Sequence, residues 1–241
     1  MHPHGVFYEK SSEGAPYADG EGVNAGDAVA PGATYTYEWL IPERAGPGPG
    51  DPSSVLWMYH SHVDEPGDTN AGLVGPIVVT RDGDGDENAV PTDVDREFVT
   101  MFGVLDENRS PYLDRNIARF TGRPRTVKPD EEAFVESNLM HSINGYVFGN
   151  LPLETLTMRA GENVRWYTFG LGTEVDLHTP HWHGQSLTWM GMRTGISELL
   201  PASMKVLDMA PDNPGVWLYH CHVNDHIDAG MIARFRVLPA S

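Results

Sequence analysis

The stretch Trp217-Leu218-Tyr219-His220-Cys221-His222-Val223-Asn224-Asp225-His226 carries the densest chemistry in the chain. The only cysteine lies between two histidines, a third histidine follows five residues after it, and Met231 follows ten residues after it. Thiolate, imidazole and thioether together are the ligand set of a blue copper electron-transfer site. The apolar and aromatic residues before Cys221 predict a buried strand. Neighbouring side chains on a strand point to opposite faces, so Cys221 points one way while His220 and His222 point together to the other. One strand then joins two metal sites.

Ten of the eleven histidines fall in four short motifs: His2/His4, His60/His62, His178/His181/His183 and His220/His222/His226. His141 lies outside all of them and reads as structural. Each His-x-His pair on a strand puts both imidazoles on one face, roughly 6.5–7 Å apart. A single pair packs on a surface or in a core as readily as it binds metal. Four pairs, a repeat and a flanked cysteine do not fit that bland account. The imidazoles are too many for one zinc, which takes four ligands, and they suit several coppers.

These motifs need strands to hold them, and the composition supplies strands. Glycine (26) and proline (19) are plentiful, aromatics are common, and long amphipathic periods are scarce, which predicts an all-β chain rich in turns. At 241 residues there is room for one large or two ordinary domains. The net charge of −18 argues against nucleic acid and against anionic membrane surfaces as partners. No apolar run approaches the ~20 residues of a membrane span. The lone cysteine excludes an internal disulfide framework. No signal segment is visible, because Met1-His2-Pro3-His4-Gly5 opens almost directly on a motif. The first domain is therefore predicted to be N-terminally incomplete.

Taken in order, residues 1–90 read as one β domain and 91–241 as a second. The first has strands over Gly32–Ile41, Ser54–His62 and Gly72–Thr80, with a Gly/Pro loop at 45–52. Arg81–Asp95 reads as an acidic linking turn. In the second, Phe98–Leu105 is a strand and Ser110–Phe120 a short helix or turn. Further strands are predicted at Ser142–Phe148, Glu154–Met158, Asn163–Phe169, Glu174–Leu177, Ser186–Met190, Lys205–Met209, Val216–His222 and Met231–Leu238. Met190, Met192, Met204 and Met209 read as core packing. The two halves repeat one another. His2-Pro3-His4-Gly5 matches His181-Trp182-His183-Gly184, and Tyr59-His60-Ser61-His62-Val63 matches Tyr219-His220-Cys221-His222-Val223. Two copies of one Greek-key β-sandwich fit this best.

These motifs, in this order, resemble the multicopper oxidases, with likeness to the two-domain laccases and to ceruloplasmin. The family pattern is His-x-His-Gly, His-x-His, His-x-x-His-x-His and His-Cys-His-x3-His-x4-Met/Leu, and all four parts are present. The resemblance implies two cupredoxin-like domains. It also implies a type 1 copper held by His178, Cys221 and His226 with Met231 axial. A type 2 copper would lie on His2 and His181. A type 3 pair would use His4, His60, His62, His183, His220 and His222. Ser61 stands in the place of Cys221 and Pro66 in that of His226, so the first domain is expected to lack a type 1 copper, since a hydroxyl does not replace a soft thiolate.

The implied activity is one-electron oxidation of a small donor, laccase-like on phenols, coupled to reduction of O2 to water. Electrons would reach the type 1 copper through the solvent-side edge of His178 or His226, and pass by Cys221 to His220 and His222. A metallo-oxidase acting on Fe(II) or Cu(I) is the alternative, and a non-catalytic copper-binding relative a third reading. Copper nitrite reductase, which lacks four paired His-x-His motifs, is set aside. The resemblance further implies a homotrimer with trinuclear clusters at its subunit interfaces and an extracytoplasmic location. Tyr8 is expected near the type 2 copper as a hydrogen-bond donor or electron source. Asp176 is expected to orient a ligand or relay protons.

Overall fold

Short runs rich in Val, Trp, Tyr and Phe become strands, and Gly, Pro and Asp segments separate them, so sheet dominates and helices are few and short. The computed structural model describes residues 1–17, 24–173 and 175–240. They group into two compact units, Met1–Gly85 with Glu107–Val127, and Asp86–Asp106 with Lys128–Ser241.

The first unit holds an antiparallel sheet in the order β1 (His2–Pro3), β2 (Ser54–His60), β3 (Val74–Thr80). Along β2 every second side chain is buried, ending with His60, as alternation requires. Helix α1 (Glu65–Asn70) follows, capped by the Asp64 carboxylate on the Gly67 N–H. Helix α2 (Leu113–Phe120) occupies the stretch predicted as a short helix or turn. The strand expected over Gly32–Ile41 does not form. Only Leu40 bridges there, to Phe7, with exchanged N–H···O bonds of 2.9 and 2.6 Å. The alternating Tyr35, Tyr37 and Trp39 pack ring against ring, and the Glu38 N–H donates to Ser12 Oγ. Alternation made this stretch resemble a strand, but no described neighbour supplies a ladder.

The second unit contains β4 (Arg96–Asp106), β5 (Leu139–Ile143), β6 (Thr157–Arg159), β7 (Val164–Gly170), β8 (Pro180–Trp182), β9 (Leu187–Trp189), β10 (Met192–Thr194), β11 (Met204–Met209), β12 (Gly215–Cys221) and β13 (Ile232–Leu238), with short helices α3 (Glu132–Ser137) and α4 (Asn224–Asp228). One sheet runs β10-β9-β11-β7-β4-β5 and the other β6-β13-β12-β8. They share one core. Trp166 of β7 is fully buried, with ring centroids 5.2 Å from Tyr219, 5.6 Å from Trp182 and 6.1 Å from Phe235, all on the facing sheet. β7 is buried along its whole length, and its one charge, Arg165, forks onto Asp208 at 2.7 and 3.0 Å.

Three local expectations are corrected here. Leu153–Leu156 is a 3-10 turn after Pro152, and only Thr157–Arg159 pairs as a strand. Val175–Leu177 lies in a turn closed by Asp176 N–H on Thr173 O at 2.9 Å rather than in a strand; Glu174 lies outside the described residues. Met190 and Met192 are exposed (74% and 62%), not core. They flank Gly191 in a two-residue hairpin between β9 and β10, where Met190 and Gly191 both take positive φ (50° and 75°).

Trp166 joins the two sheets. Trp166→Ala should destabilise the second unit by about 3–5 kcal/mol, read from the denaturant midpoint at unchanged slope. A loss under about 1 kcal/mol would mean that other contacts hold the sheets together.

Candidate metal centres

Strand β12 is held from both sides, Tyr219 and His220 pairing with Ala233 and Ile232 of β13, and with Trp182 and His181 of β8. That double pairing fixes which face each side chain takes. Cys221 joins His178 and His226 on one face, and His220 joins His181 and His183 on the other. Within each group one ligand atom per residue lies within 4.8 Å of the rest. The two sets predicted on opposite sides of one strand are thus both assembled.

The cysteine set is buried. His178 is fixed by a reciprocal backbone bridge to Leu199, and His226 by α4. Met231, fully buried, donates its N–H to His226 O (2.9 Å) and accepts Cys221 N–H on its carbonyl (3.1 Å). Cys221 Sγ accepts N–H groups from Thr179 and Val223, each at 3.4 Å. Burial pushes this thiol's pKa up, but hydrogen bonds from His178, His226 and the two amides outweigh burial and bring it to about 5. Burial pushes the His178 imidazole down, while Asp176 and Cys221 pull it up, and the net shift is upward.

The arrangement fits a metal. His178 Nε2 faces Asp176 Oδ1 at 3.2 Å, leaving Nδ1 to face His226 Nδ1 at 3.2 Å, and His226 Nδ1 lies 3.6 Å from Cys221 Sγ. Two imidazole nitrogens and a sulfur that converge at such distances can share a proton or take a metal cation among them. Two imidazoles and a thiolate suit copper, and with Met231 beside them they are the donor set of a blue copper site.

The imidazole sets of the two units are built alike. His2 pairs with His60 across β1–β2, and His181 with His220 across β8–β12. His4 N–H donates to Met58 O (2.8 Å), as His183 N–H does to Leu218 O (3.0 Å). Four Nδ1 atoms bond backbone carbonyls: His2 to Glu13, His181 to Gly195, His60 to Ser61 and His220 to Cys221, at 2.6–2.9 Å. Each bond places the proton on Nδ1 and leaves Nε2 bare, the tautomer a ligand needs. Nε2 then meets Nε2 between His4 and His60 (3.1 Å) and between His183 and His220 (2.8 Å). His62 and His222 complete the sets, with ring centroids 5.3 Å from His2 and 5.6 Å from His181.

Burial, then the neighbouring imidazoles His60, His2 and His62, lowers the His4 pKa to about 4. Burial and imidazole neighbours also lower His2, His183 and His220, which keeps these rings neutral and ready to bind. The glycine closing each His-x-His-Gly has a mechanical reason. Gly5 and Gly184 take positive φ, and a Cβ at either would collide with Trp57 or Trp217, three residues before the His of the paired strand.

The remaining expected residues take distinct places. Ser61, standing where Cys221 stands in the other repeat, donates to Asp68, and Pro66 begins α1, so no thiolate centre exists in the first unit among the described residues. Tyr8 lies edge-on to His2, centroids 6.0 Å apart, with its phenol pKa raised by burial and Glu13. Asp176 is buried against His178, its Oδ1 3.2 Å from Nε2. The sequence reading missed His141, whose ring lies 5.2 Å from His226 while its Nδ1 bonds Leu139 O. No local pattern marks it, because β5 reaches His226 only through the tertiary fold.

The second unit is thus a cupredoxin-like sandwich with a buried Cys-His-His set on one face of β12 and paired imidazoles on the other. Residues 124–241 match the multicopper oxidase family, so this part of the chain is a domain of that family. The chain is similar to hephaestin of Homo sapiens, 46% identical over 245 residues, covering 100% of this chain and 21% of that protein. It is 44% identical to ferroxidase HEPHL1 of Homo sapiens over 240 residues (98% and 20%), and 44% identical to ceruloplasmin of Homo sapiens over 239 residues (98% and 22%). The chain thus spans about a fifth of the length of these relatives. In fold it resembles a blue copper oxidase from Nitrosomonas europaea, with TM-score 0.61 at 19% identity, covering 98% of this chain and 68% of that one.

Without metal, Cys221 should ionise near pH 5 instead of its ordinary 9.0. Folding favours the thiolate, so this group's contribution to stability is complete above the ordinary thiol range and is lost as pH falls through about 5. Thiolate absorbance of the metal-free protein, with Cys221→Ser as blank, tests this. A midpoint in the ordinary thiol range would refute the hydrogen-bonding account.

Proposed function

We propose that this chain provides the copper sites of an oxidase that takes single electrons from a small donor and passes them to O2. The reading is carried by β12, where Cys221 faces His178 and His226 while the adjoining His220 faces His181 and His183. Copper, when bound, supplies the one-electron chemistry and the four-electron reduction of O2 to two waters. His178, Cys221, His226 and Met231 would hold a type 1 ion. His2 and His181 would hold a type 2 ion, and His4, His60, His62, His183, His220 and His222 a type 3 pair. Cys221 is joined through one peptide to His220 and through another to His222, so the strand itself links the two sets. The two domains expected at residues 1–90 and 91–241 are proposed as cupredoxin-like, with residues 107–127 grouping with the first unit and 86–90 with the second, and as acting outside the cytoplasm as the family resemblance suggests.

Fe(II) takes precedence over phenols as donor, reversing the order drawn from the residues alone. The support is the 44% identity to a protein named ferroxidase, the net charge of −18, and a second imidazole, His141, beside His226. His178 is closed, its outer nitrogen held by buried Asp176, which leaves His226 as the side a donor approaches.

Oxygen uptake coupled to bleaching of a blue absorbance tests the oxidase. Cys221→Ser should abolish both colour and turnover, and retention of either sinks the assignment. Copper binding without oxygen uptake would leave a non-catalytic relative. Steady-state competition between ferrous iron and a phenol should favour iron by kcat/KM; preference for the phenol restores the laccase-like reading.

A full cluster requires the imidazoles of both units, and a head-to-tail homotrimer is the proposed way of joining them. Sizing of the copper-loaded protein should give three copies. An active, fully loaded monomer rules this assembly out.

A further inference from the structure

Asp176 is 1% exposed, and its carboxylate is fully engaged inside the second unit. Oδ1 accepts the Val104 N–H at 2.7 Å and faces His178 Nε2 at 3.2 Å, while Oδ2 accepts the Thr173 N–H at 2.8 Å. Gly172, at φ 146°, lies so close that a Cβ there would collide with the carboxylate. The cradle is therefore shaped for these two oxygens and made from three different parts of the chain. A buried carboxylate whose oxygens accept two backbone N–H groups is held in one position.

We propose that Asp176 is a positioning residue for His178. It holds the proton on Nε2, turns the bare Nδ1 toward Cys221 Sγ and His226 Nδ1, and seals the outer edge of the ring against donors. The proposal rests on the His178–Cys221–His226 set being a metal site. In the other tautomer a proton on Nδ1 would point into that set and exclude the metal. Proton delivery to the paired imidazoles is not the role this geometry favours, because both carboxylate oxygens are already bound to Val104, Thr173 and His178.

The test starts without copper. Nitrogen NMR of the imidazoles in the metal-free wild-type protein at alkaline pH should show His178 protonated on Nε2. Protonation on Nδ1 would overturn the proposal, with no variant needed. Asp176→Ala should give a mixture of tautomers, and Asp176→Asn, which keeps an acceptor oxygen, should restore Nε2–H. Gly172→Ala, which displaces the carboxylate without removing it, should behave like Asp176→Ala.

Cobalt(II) titration of the same metal-free proteins supplies a second readout. Wild type should develop a thiolate charge-transfer band, and Asp176→Ala should bind about 10- to 100-fold more weakly. Wild-type binding with no thiolate band would defeat the metal-site reading itself. A wild-type band together with unchanged affinity and tautomer in Asp176→Ala would defeat only the role of Asp176.

Discussion

Strict alternation of side chains along one buried strand is the constraint on which the site depends. On β12, Tyr219 and Cys221 face the core, while His220 turns away toward His181 and His183. A slip of one residue would exchange the thiolate with an imidazole and dismantle both sets. Pairing with β13 along almost the whole strand and with β8 at its end fixes the register against that slip. The thiolate must then be tolerated on the core side, which the Thr179 and Val223 amides and the two imidazoles make possible. Aromatic packing around Trp166 and the chemistry of Cys221 are consequences of the same strand lying in the same register.

Repetition explains which parts of the site are shared and which are not. Both units use the same cross-strand pairing, the same carbonyl bonds to Nδ1 and the same glycine pressed against a tryptophan. These features belong to the His-x-His pairs and do not depend on what stands between them. Between the histidines of the second pair stands serine in one unit and cysteine in the other. Ser61 is occupied by Asp68, and the short helix that follows it carries Pro66 where the helix of the other repeat carries His226. The soft centre is thus confined to one unit by few residues on an otherwise common frame.

Much of this was legible in the sequence because histidine spacing and strand parity are local. The opposite facing of Cys221 and His220, the separation of His178 from His181, and the equivalence of the repeats all follow from counting residues. What failed depended on partners that sequence does not display. Tyr35, Tyr37 and Trp39 alternate like a strand yet find no described ladder. Met190 and Met192 are apolar yet ride an exposed turn. His141 has no motif around it, and its position beside His226 is set by β5 pairing with β4 far away in sequence. Asp176 was visible as a candidate, but its contact with Val104, 72 residues distant, required the fold.

That contact bears on how a donor is selected. On the proposed function, His178 and His226 would offer a donor two imidazole edges, and one of them ends on a buried carboxylate whose other bonds are backbone N–H groups. The remaining edge, that of His226, is bordered by His141 on β5, a strand next to the segment 128–138 that includes α3. On that proposal, recognition of the reductant would fall to residues of β5 and its approaches rather than to the histidine motifs. Sequences can preserve the motifs, and hence the oxygen chemistry they support, while changing donors through that separate stretch.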